Sequence, residues 1–319
     1  VACGTRPAHN PLINVDAARI FDSDQLGGFG EIPREIIVVG AGVIGLEYAS
    51  MFSALGTRVT IVEQRPTVLD FVDREIIDCL LYNLRRREAI LRFGEKVTSV
   101  SINEKGRVIT QLESGKTIQG DSLLYTVGRQ ANSDLLNLPA AGLSADSRGK
   151  ISINESFQTS IPHIYAAGDV IGFPALAATS MEQGRIASHH MFGAPRKFSP
   201  DLLPYGIYSI PEISMVGKTE EALTESSIPY EVGIARYEEL AKAQMLGDET
   251  GILKILFDPK TLKILGVHAI GERAAEIVHI GQSVMALGGT MEYFRDTVFN
   301  YPTMAEAYKV AAFNGLNKL

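Results

Sequence analysis

The clearest hydrophobic pattern in the chain lies between residues 35 and 63. EIIVVG is a short apolar run that suits a buried parallel strand. AGVIGLEYASMFSALG follows, with Ile44, Ala49, Phe52 and Leu55 near helical spacing, and RVTIVE is a second strand-like run. Gly56 stands where a helix C′ residue belongs. The order predicts a strand, helix, strand unit. DREIIDCLLYNLRRREAI then predicts an amphipathic helix with Ile76, Leu80, Leu81 and Leu84 on one side. Between residues 96 and 127 the period changes. KVTSVSIN, RVITQLE, KTIQ and SLLYTVG are short runs separated by the turn signals EKG and SGK, which predicts a small antiparallel meander. HIYAAGD predicts another strand, and ALAATSMEQGRIASHHMFG a helix. Residues 194–204, with Pro195, Pro200 and Pro204, read as a linker. Beyond it come strands, a helix over AAEIVHIGQSVMAL and a terminal helix, the order of a separate α+β domain.

With 319 residues and 45% apolar content, the chain is long enough for two or three domains with cores. Its net charge of −7 and its scattered lysines and arginines argue against nucleic acid or an anionic membrane as partner. No apolar stretch reaches the roughly 18 residues of a spanning helix and no signal peptide opens the chain, so a cytoplasmic protein is expected. Cys3 and Cys79 lie far apart, with no spacing for a disulfide framework, a zinc site or a redox pair. The opening VACGTRPAHN reads as a strand end running into a loop, as in a piece that begins within a longer fold.

GAGVIG places Gly40, Gly42 and Gly45 directly after a strand and at the head of a helix. The first glycine allows a tight turn, the second lets the backbone approach a pyrophosphate, and the third lets helix and strand pack closely. The helix N-terminus adds free N–H groups and a positive dipole end. Glu63 ends the second strand about 20 residues on, where an acidic side chain reaches a ribose 2′-hydroxyl. That carboxylate would repel a 2′-phosphate and favours NAD over NADP. Arg65, two positions later, would neutralise such a phosphate or else be a solvated loop arginine. In QTSIPHIYAAGDV, Asp169 follows Gly168 at the expected strand end and is placed to accept hydrogen bonds from a hydroxyl chain.

The order GAGVIGLE, Glu63, TVGRQAN, IYAAGD, ALAATSMEQGR and YPTMAE resembles the two-dinucleotide flavoprotein disulfide reductases over essentially the whole chain. Within that group, GERAAEIVHIGQ and NYPTMAEAYKVAA are similar to the branch of soluble FAD-containing pyridine nucleotide transhydrogenases. The resemblance implies an α/β fold: a Rossmann-type NAD(P) domain with an antiparallel meander at 33–149, parts of an FAD domain at 1–32 and 150–199, and an α+β dimerisation domain at 200–319. It gives Gly40, Ala41, Gly42, Val43, Ile44, Gly45, Leu46 and Glu47 the NAD(P) phosphate turn and adjoining helix, with Glu47 near the nicotinamide and Glu63 on the ribose. Val97 and Gly128 would line that nucleotide. Gly4 and Thr5 match the family's turn by the FAD adenosine, Asp169 would bind the ribityl chain, and Ala175, Leu176, Ala177 and Ala178 would offer N–H groups to the flavin's pyrimidine end. A helix N-terminus there stabilises the negative charge of reduced flavin.

Two departures from the family matter. The region that holds the family's first G-x-G-x-x-G and, in the disulfide reductases, the redox Cys pair does not appear in this sequence, so the 319 residues alone are expected to hold FAD poorly. Tyr301 occupies the place of the family's histidine, with Glu306 at its glutamate partner's place. Tyrosine, with a reference pKa near 10, is a poor acid and base at pH 7, which disfavours thiol–disulfide exchange. Hydride transfer between nicotinamides through flavin needs no such base. The expected activity is therefore FAD-dependent transhydrogenation between NADPH and NAD in a homodimer formed through the C-terminal domain, with no metal. The rivals are an NAD-dependent dihydrolipoamide dehydrogenase and a non-catalytic, dimer-forming nucleotide-binding module. Thr303 and Glu306 also stand at capping-box spacing, which would give Glu306 a purely structural task. His189 and His190 lack ligand companions, His268 and His279 are expected in the interior, and Arg85–Arg87 at a solvated helix end.

Overall fold

The computed structural model describes residues 1–11, 13–28, 30–194 and 202–319, so Pro195 and Pro200 of the expected linker lie outside the described residues. Two short strands, β1 (Thr5–Pro7) and β2 (Ile20–Asp22), precede β3 (Glu35–Val39), helix α1 (Val43–Ala54), β4 (Arg58–Glu63), α2 (Arg74–Arg86) and β5 (Ile90–Phe93). Next come β6 (Val97–Ile102), β7 (Val108–Leu112), β8 (Thr117–Gly120), β9 (Ser122–Tyr125), β10 (Arg129–Ala131) and α3 (Ala177–Met191). The last third holds β11 (Tyr205–Ile207), β12 (Ile213–Gly217), α4 (Glu220–Glu225), β13 (Glu231–Arg236), α5 (Ala241–Leu246), β14 (Ile252–Phe257), β15 (Ile264–Ile270), α6 (Ala274–Ala286), α7 (Met291–Asp296) and α8 (Glu306–Leu316).

The expected α/β architecture is present. A parallel sheet runs β2-β9-β3-β4-β5, and an antiparallel meander β6-β7-β8 covers one of its faces. The last third forms an antiparallel sheet β11-β12-β15-β14-β13. Period-two alternation in β3 sends Ile36 and Val38 to the core under α1 and α2, and Ile37 and Val39 to the core under the meander. Because β4 lies on one side of β3 and β9 on the other, the carboxyl end of β3 is a topological switch point, where open α/β sheets bind ligands.

Several sequence expectations need correction. SLLYTVG does not close the meander: β9 pairs in parallel with β3 and β2, because all four of its residues are buried and need cover on both faces. The second helix stops at Arg86 rather than reaching Ile90. Glu88 takes φ +62°, and the Ala89 N–H donates to the Leu84 carbonyl at 3.0 Å, closing a Schellman-type end that releases Ile90 into β5. HIYAAGD forms no strand and ends in a 3-10 turn at Asp169–Ile171. Among the described residues it meets only a bridge to Gln158 and two backbone bonds with Val1, too little to build a ladder. The buried face of α1 is Gly45, Leu46, Ala49, Ser50 and Ser53, while Leu55 is 62% exposed, since small residues allow the closest approach to the sheet. His279 is exposed and bonds Gln282, whereas His268 is fully buried.

The two large sheets share one apolar core, in which Ile76, Leu80 and Leu84 of α2 meet Ile213, Ile252 and Ile270. An ion-pair cluster runs along this junction. Lys254 is 1% exposed, and its Nζ lies 2.9 Å from Asp73 Oδ1, 3.1 Å from Glu75 Oε2 and in contact with Glu220. Asp73 is the N-cap of α2, accepting from the Glu75 N–H at 3.1 Å. Burial disfavours the charge on Lys254, but the hydrogen bond to Glu220 and the pairing with Asp73 outweigh it and raise its pKa above the ordinary lysine value. The stabilisation is therefore fully present at neutral pH and is lost only as pH rises through that raised pKa. Replacing Lys254 by alanine strands the buried Asp73 carboxylate and is expected to destabilise the protein by about 3–5 kcal/mol. Thermal unfolding followed by circular dichroism checks this, and an unchanged midpoint would contradict the burial of the pair.

Candidate functional site

The head of α1 meets the carboxyl end of β3 through three glycines with different tasks. Gly40 takes φ +100° with Thr126 packed against it. A Cβ on Gly45 would lie 1.9 Å from the Gly40 carbonyl oxygen and 2.7 Å from Thr126 Oγ1, so only glycine lets helix and turn touch. A Cβ on Gly42 would meet nothing within 4 Å, so this backbone faces open space. Gly42 is the N-cap of α1 and its N-terminus has no side-chain cap, which leaves first-turn N–H groups turned toward that space. Thr126, from TVGRQAN, locks the turn by sharing its one hydroxyl proton between the Val39 and Gly40 carbonyls, each 3.0 Å from Oγ1. Its part was not legible in the sequence, where only the glycine beside it drew notice.

Glu63 sits at the end of β4, 7% exposed. Its Oε2 accepts from the Ala41 N–H at 2.8 Å, and its Oε1 from the Arg65 backbone N–H at 3.0 Å and Nε at 3.1 Å. Burial pushes its carboxyl up, yet the bonds from Arg65 and Ala41 outweigh that and leave its pKa below the ordinary value. Glu47, on α1, is half-buried and accepts from the Tyr208 N–H at 2.8 Å. Desolvation raises its pKa, with the Tyr208 bond opposing. Val97 opens β6 and is partly buried, and Gly128 is exposed at φ +86° just after Thr126.

The second half of the site gathers around Asp169. Thr5 Oγ1 donates to Asp169 Oδ2 at 3.1 Å, while Arg129 donates through Nε to Thr5 Oγ1 and through NH2 to the Thr5 carbonyl, binding β1 to β10 beside Gly4 (φ +65°). Helix α3 begins at Ala177 with Leu176 as N-cap and Ala175 before it, without a side-chain cap. Thr179 in its first turn keeps a buried Oγ1 with no partner. An uncapped helix head, the Asp169 carboxylate and an orphaned hydroxyl fit a polar, electron-rich ring system and its hydroxyl chain.

Tyr205 links the halves. Its ring packs on Phe71 (centroids 5.0 Å apart) and stacks on Phe173 (5.7 Å), so three segments distant in sequence meet. Burial pushes its phenol up to about 12, with the negative charges of Glu47 and Asp169 adding to the shift. Neither Tyr205 nor Phe71 carried a sequence signal, since isolated aromatics usually mean core.

Tyr301 is 70% exposed. The expected capping box around it is absent: Thr303 Oγ1 donates to the Asn300 carbonyl at 2.7 Å, α8 starts at Glu306 with Ala305 as N-cap, and buried Glu306 Oε2 has no partner. The helix begins two residues later than T-x-x-E spacing requires, with Met304, Ala307, Tyr308 and Ala311 buried. The Cys79 thiol is pushed up to about 11, chiefly by burial and then by Asp248 and Glu75, so it stays protonated at neutral pH. Among the described residues, one acidic cluster has metal-like spacing, Asp73, Glu75 and Glu220, and the Lys254 ammonium already contacts all three. A cavity of about 660 Å³ lined by residues such as Arg86, Glu212, Asp248 and Glu272 contains none of the expected site residues.

A glycine turn at a switch point, an acidic residue closing the next strand and a second polar half-site define a dinucleotide-binding oxidoreductase. Residues 1–184 match the model of the pyridine nucleotide-disulphide oxidoreductases, and residues 203–312 match that family's dimerisation domain. The chain belongs to this family. It is 54% identical over 319 residues to the soluble pyridine nucleotide transhydrogenase of Mycobacterium bovis, covering all of this chain and 68% of that protein. It is 49% identical over 323 residues to that of Photobacterium profundum, again covering all of this chain and 69% of the relative. Among solved structures it resembles the HOCl-induced flavoprotein disulfide reductase RclA from Escherichia coli, with a TM-score of 0.90, 28% identity, and coverage of 98% of this chain and 72% of the other. It also resembles LpdA from Mycobacterium tuberculosis, with a TM-score of 0.91, 25% identity, and coverage of 98% and 68%.

Two substitutions separate turn packing from ligand approach. Gly45→Ala forces α1 off the turn and is expected to cost about 1–3 kcal/mol of stability as well as nucleotide binding. Gly42→Ala is expected to keep the wild-type melting temperature yet lose NADH affinity in a fluorescence titration. Equal melting losses in both would contradict the assignment. For Glu47, the raised folded-state pKa means its ionisation opposes folding as pH rises through that value. Glu47→Gln should therefore raise the melting temperature at pH 7–8, with the gain vanishing toward acid pH.

Proposed function

We infer that this chain supplies the NAD(P) site, part of the FAD site and the dimer-forming part of a pyridine nucleotide transhydrogenase that passes hydride between NADPH and NAD. Flavin, when bound, supplies the hydride acceptor and donor. The chain's residues supply position. The α1 head and the Gly42 backbone hold the nucleotide's phosphates, and Glu47, fixed by the Tyr208 N–H, stands at the nicotinamide end. Asp169, steadied by Thr5, accepts from the ribityl hydroxyls. The α3 head around Ala177, Ala178 and Thr179 directs N–H groups at the pyrimidine end, which favours the anionic reduced ring.

The observation that supports this reading is that β11 and the residue that follows it touch both half-sites: Tyr205 stacks on Phe173, four residues past Asp169, and the Tyr208 N–H holds Glu47. Tyr301 replaces the expected histidine, and the Cys79 thiol is shifted upward. Exposed Leu287, Tyr293, Val298 and Tyr301, between α6 and α8, give the last third an apolar surface suited to a homodimer.

The test is a steady-state assay on the full-length protein with FAD. NADPH-dependent reduction of thio-NAD is expected, with parallel initial-rate lines as one nicotinamide leaves before the next enters. Lipoamide reduction should be negligible in the wild type and in Tyr301→His alike. Robust lipoamide turnover would overturn the reading in favour of a dihydrolipoamide dehydrogenase, and nucleotide binding without flavin reduction would leave a binding module.

A further inference from the structure

A transhydrogenase with one visible NAD(P) site must admit a nucleotide with a free ribose 2′-hydroxyl and another with a 2′-phosphate. The geometry points to Arg65 as the residue that lets one site do both, by changing partners between Glu63 and the 2′-phosphate. This inference rests on reading the glycine turn as a nucleotide site.

Glu63 is crowded with donors. A carboxylate has about four lone-pair positions, and Glu63 receives the Ala41 N–H at 2.8 Å, the Arg65 N–H at 3.0 Å, Arg65 Nε at 3.1 Å and Arg65 NH2 at 3.5 Å. Two of these come from the Arg65 side chain, and the other two from backbone. The backbone bonds brace the turn and the strand end whatever is bound. The side-chain bonds belong to a residue whose side chain is 47% exposed, so its guanidinium has water to swing through. When it withdraws, Glu63 regains free lone pairs for a ribose 2′-hydroxyl. When it stays forward, it cancels the carboxylate charge that would reject a phosphate.

The guanidinium also has donors left over. Among the described residues, the ion pair of NH1 is with Asp70 Oδ2, at 4.0 Å, beyond hydrogen-bond range. A planar fork with unused N–H groups at the outer edge of an acidic strand end suits phosphate recognition. Its backbone is held firmly, since the Gly94 N–H donates to the Arg65 carbonyl at 3.1 Å and the Glu95 N–H to the Glu63 carbonyl at 3.1 Å. Only the side chain is free to choose. Glu63 alone would select NAD, and a lone arginine NADP. The E-x-R pair, with the carboxylate buried and the guanidinium at the surface, is suited to both.

The experiment compares 2′,5′-ADP with 5′-AMP on the full-length holoenzyme by calorimetry, because the two ligands differ only in the 2′-phosphate at issue and need no turnover. Arg65→Gln is expected to raise the ratio of the 2′,5′-ADP Kd to the 5′-AMP Kd by on the order of 10- to 100-fold, the worth of a charge-assisted bond. Arg65→Lys should recover part of that ratio, since it keeps the charge and loses the fork. Glu63→Gln should move the ratio the other way, toward 2′,5′-ADP. An Arg65→Gln ratio within about threefold of wild type, or a wild-type protein that binds 5′-AMP but not 2′,5′-ADP, would overturn the inference. Failure of the transhydrogenase reading would show separately, as missing thio-NAD reduction in a protein whose ligand ratio still responds to Arg65.

Discussion

The contact on which most of this structure depends is the one between Gly45 and the Gly40 carbonyl. The missing Cβ brings the first turn of α1 against the end of β3, and with Thr126 bonded across the turn the arrangement cannot relax without separating helix from sheet. Three consequences follow from that approach. The first-turn N–H groups face an open concavity, the Ala41 N–H reaches Glu63, and Glu47 falls one turn along the helix, where the Tyr208 N–H meets it. The open Gly42 backbone, the strand-end carboxylate of Glu63 and the Glu47 carboxylate are thus placed by one packing event.

The second constraint is electrostatic. Lys254 is almost fully buried and drawn to carboxylates from α2 and α4, so the antiparallel sheet cannot part from the parallel one without exposing unpaired charge. This rigid junction matters to the site because Tyr205 and Tyr208 belong to the last third, whereas Glu47 and Phe71 belong to the parallel-sheet region. Asp169 and Phe173 come from a third segment. A loose junction would let the two halves drift by more than hydride transfer tolerates, since reacting atoms must approach to about 3–3.5 Å.

Much of the fold was legible in the chain, for particular reasons. EIIVVG and RVTIVE could be read as buried strands because both faces of a parallel sheet are covered, and GAGVIG because each glycine answers a steric demand that no other residue meets. Where the reading failed, the deciding contacts were distant. SLLY joins β3 instead of its neighbour in sequence, HIYAAGD lacks a ladder partner among the described residues, and T-x-x-E is not a cap because the buried face of α8 sets a different start.

The sequence by itself determined the glycine turn, the strand-end Glu63 with Arg65 two residues on, the apolar stripe of α2 and the tyrosine at position 301. Each is a local choice of residue type with a local physical reason. Tertiary structure decided that the Ala41 N–H reaches Glu63, that Thr126 locks the turn, that Lys254 joins the two sheets, and that Tyr205 stacks on Phe173. These depend on which surfaces are brought together when the apolar area is buried, and the distance along the chain between Ala41 and Glu63, or between Tyr205 and Phe173, carries no trace of it.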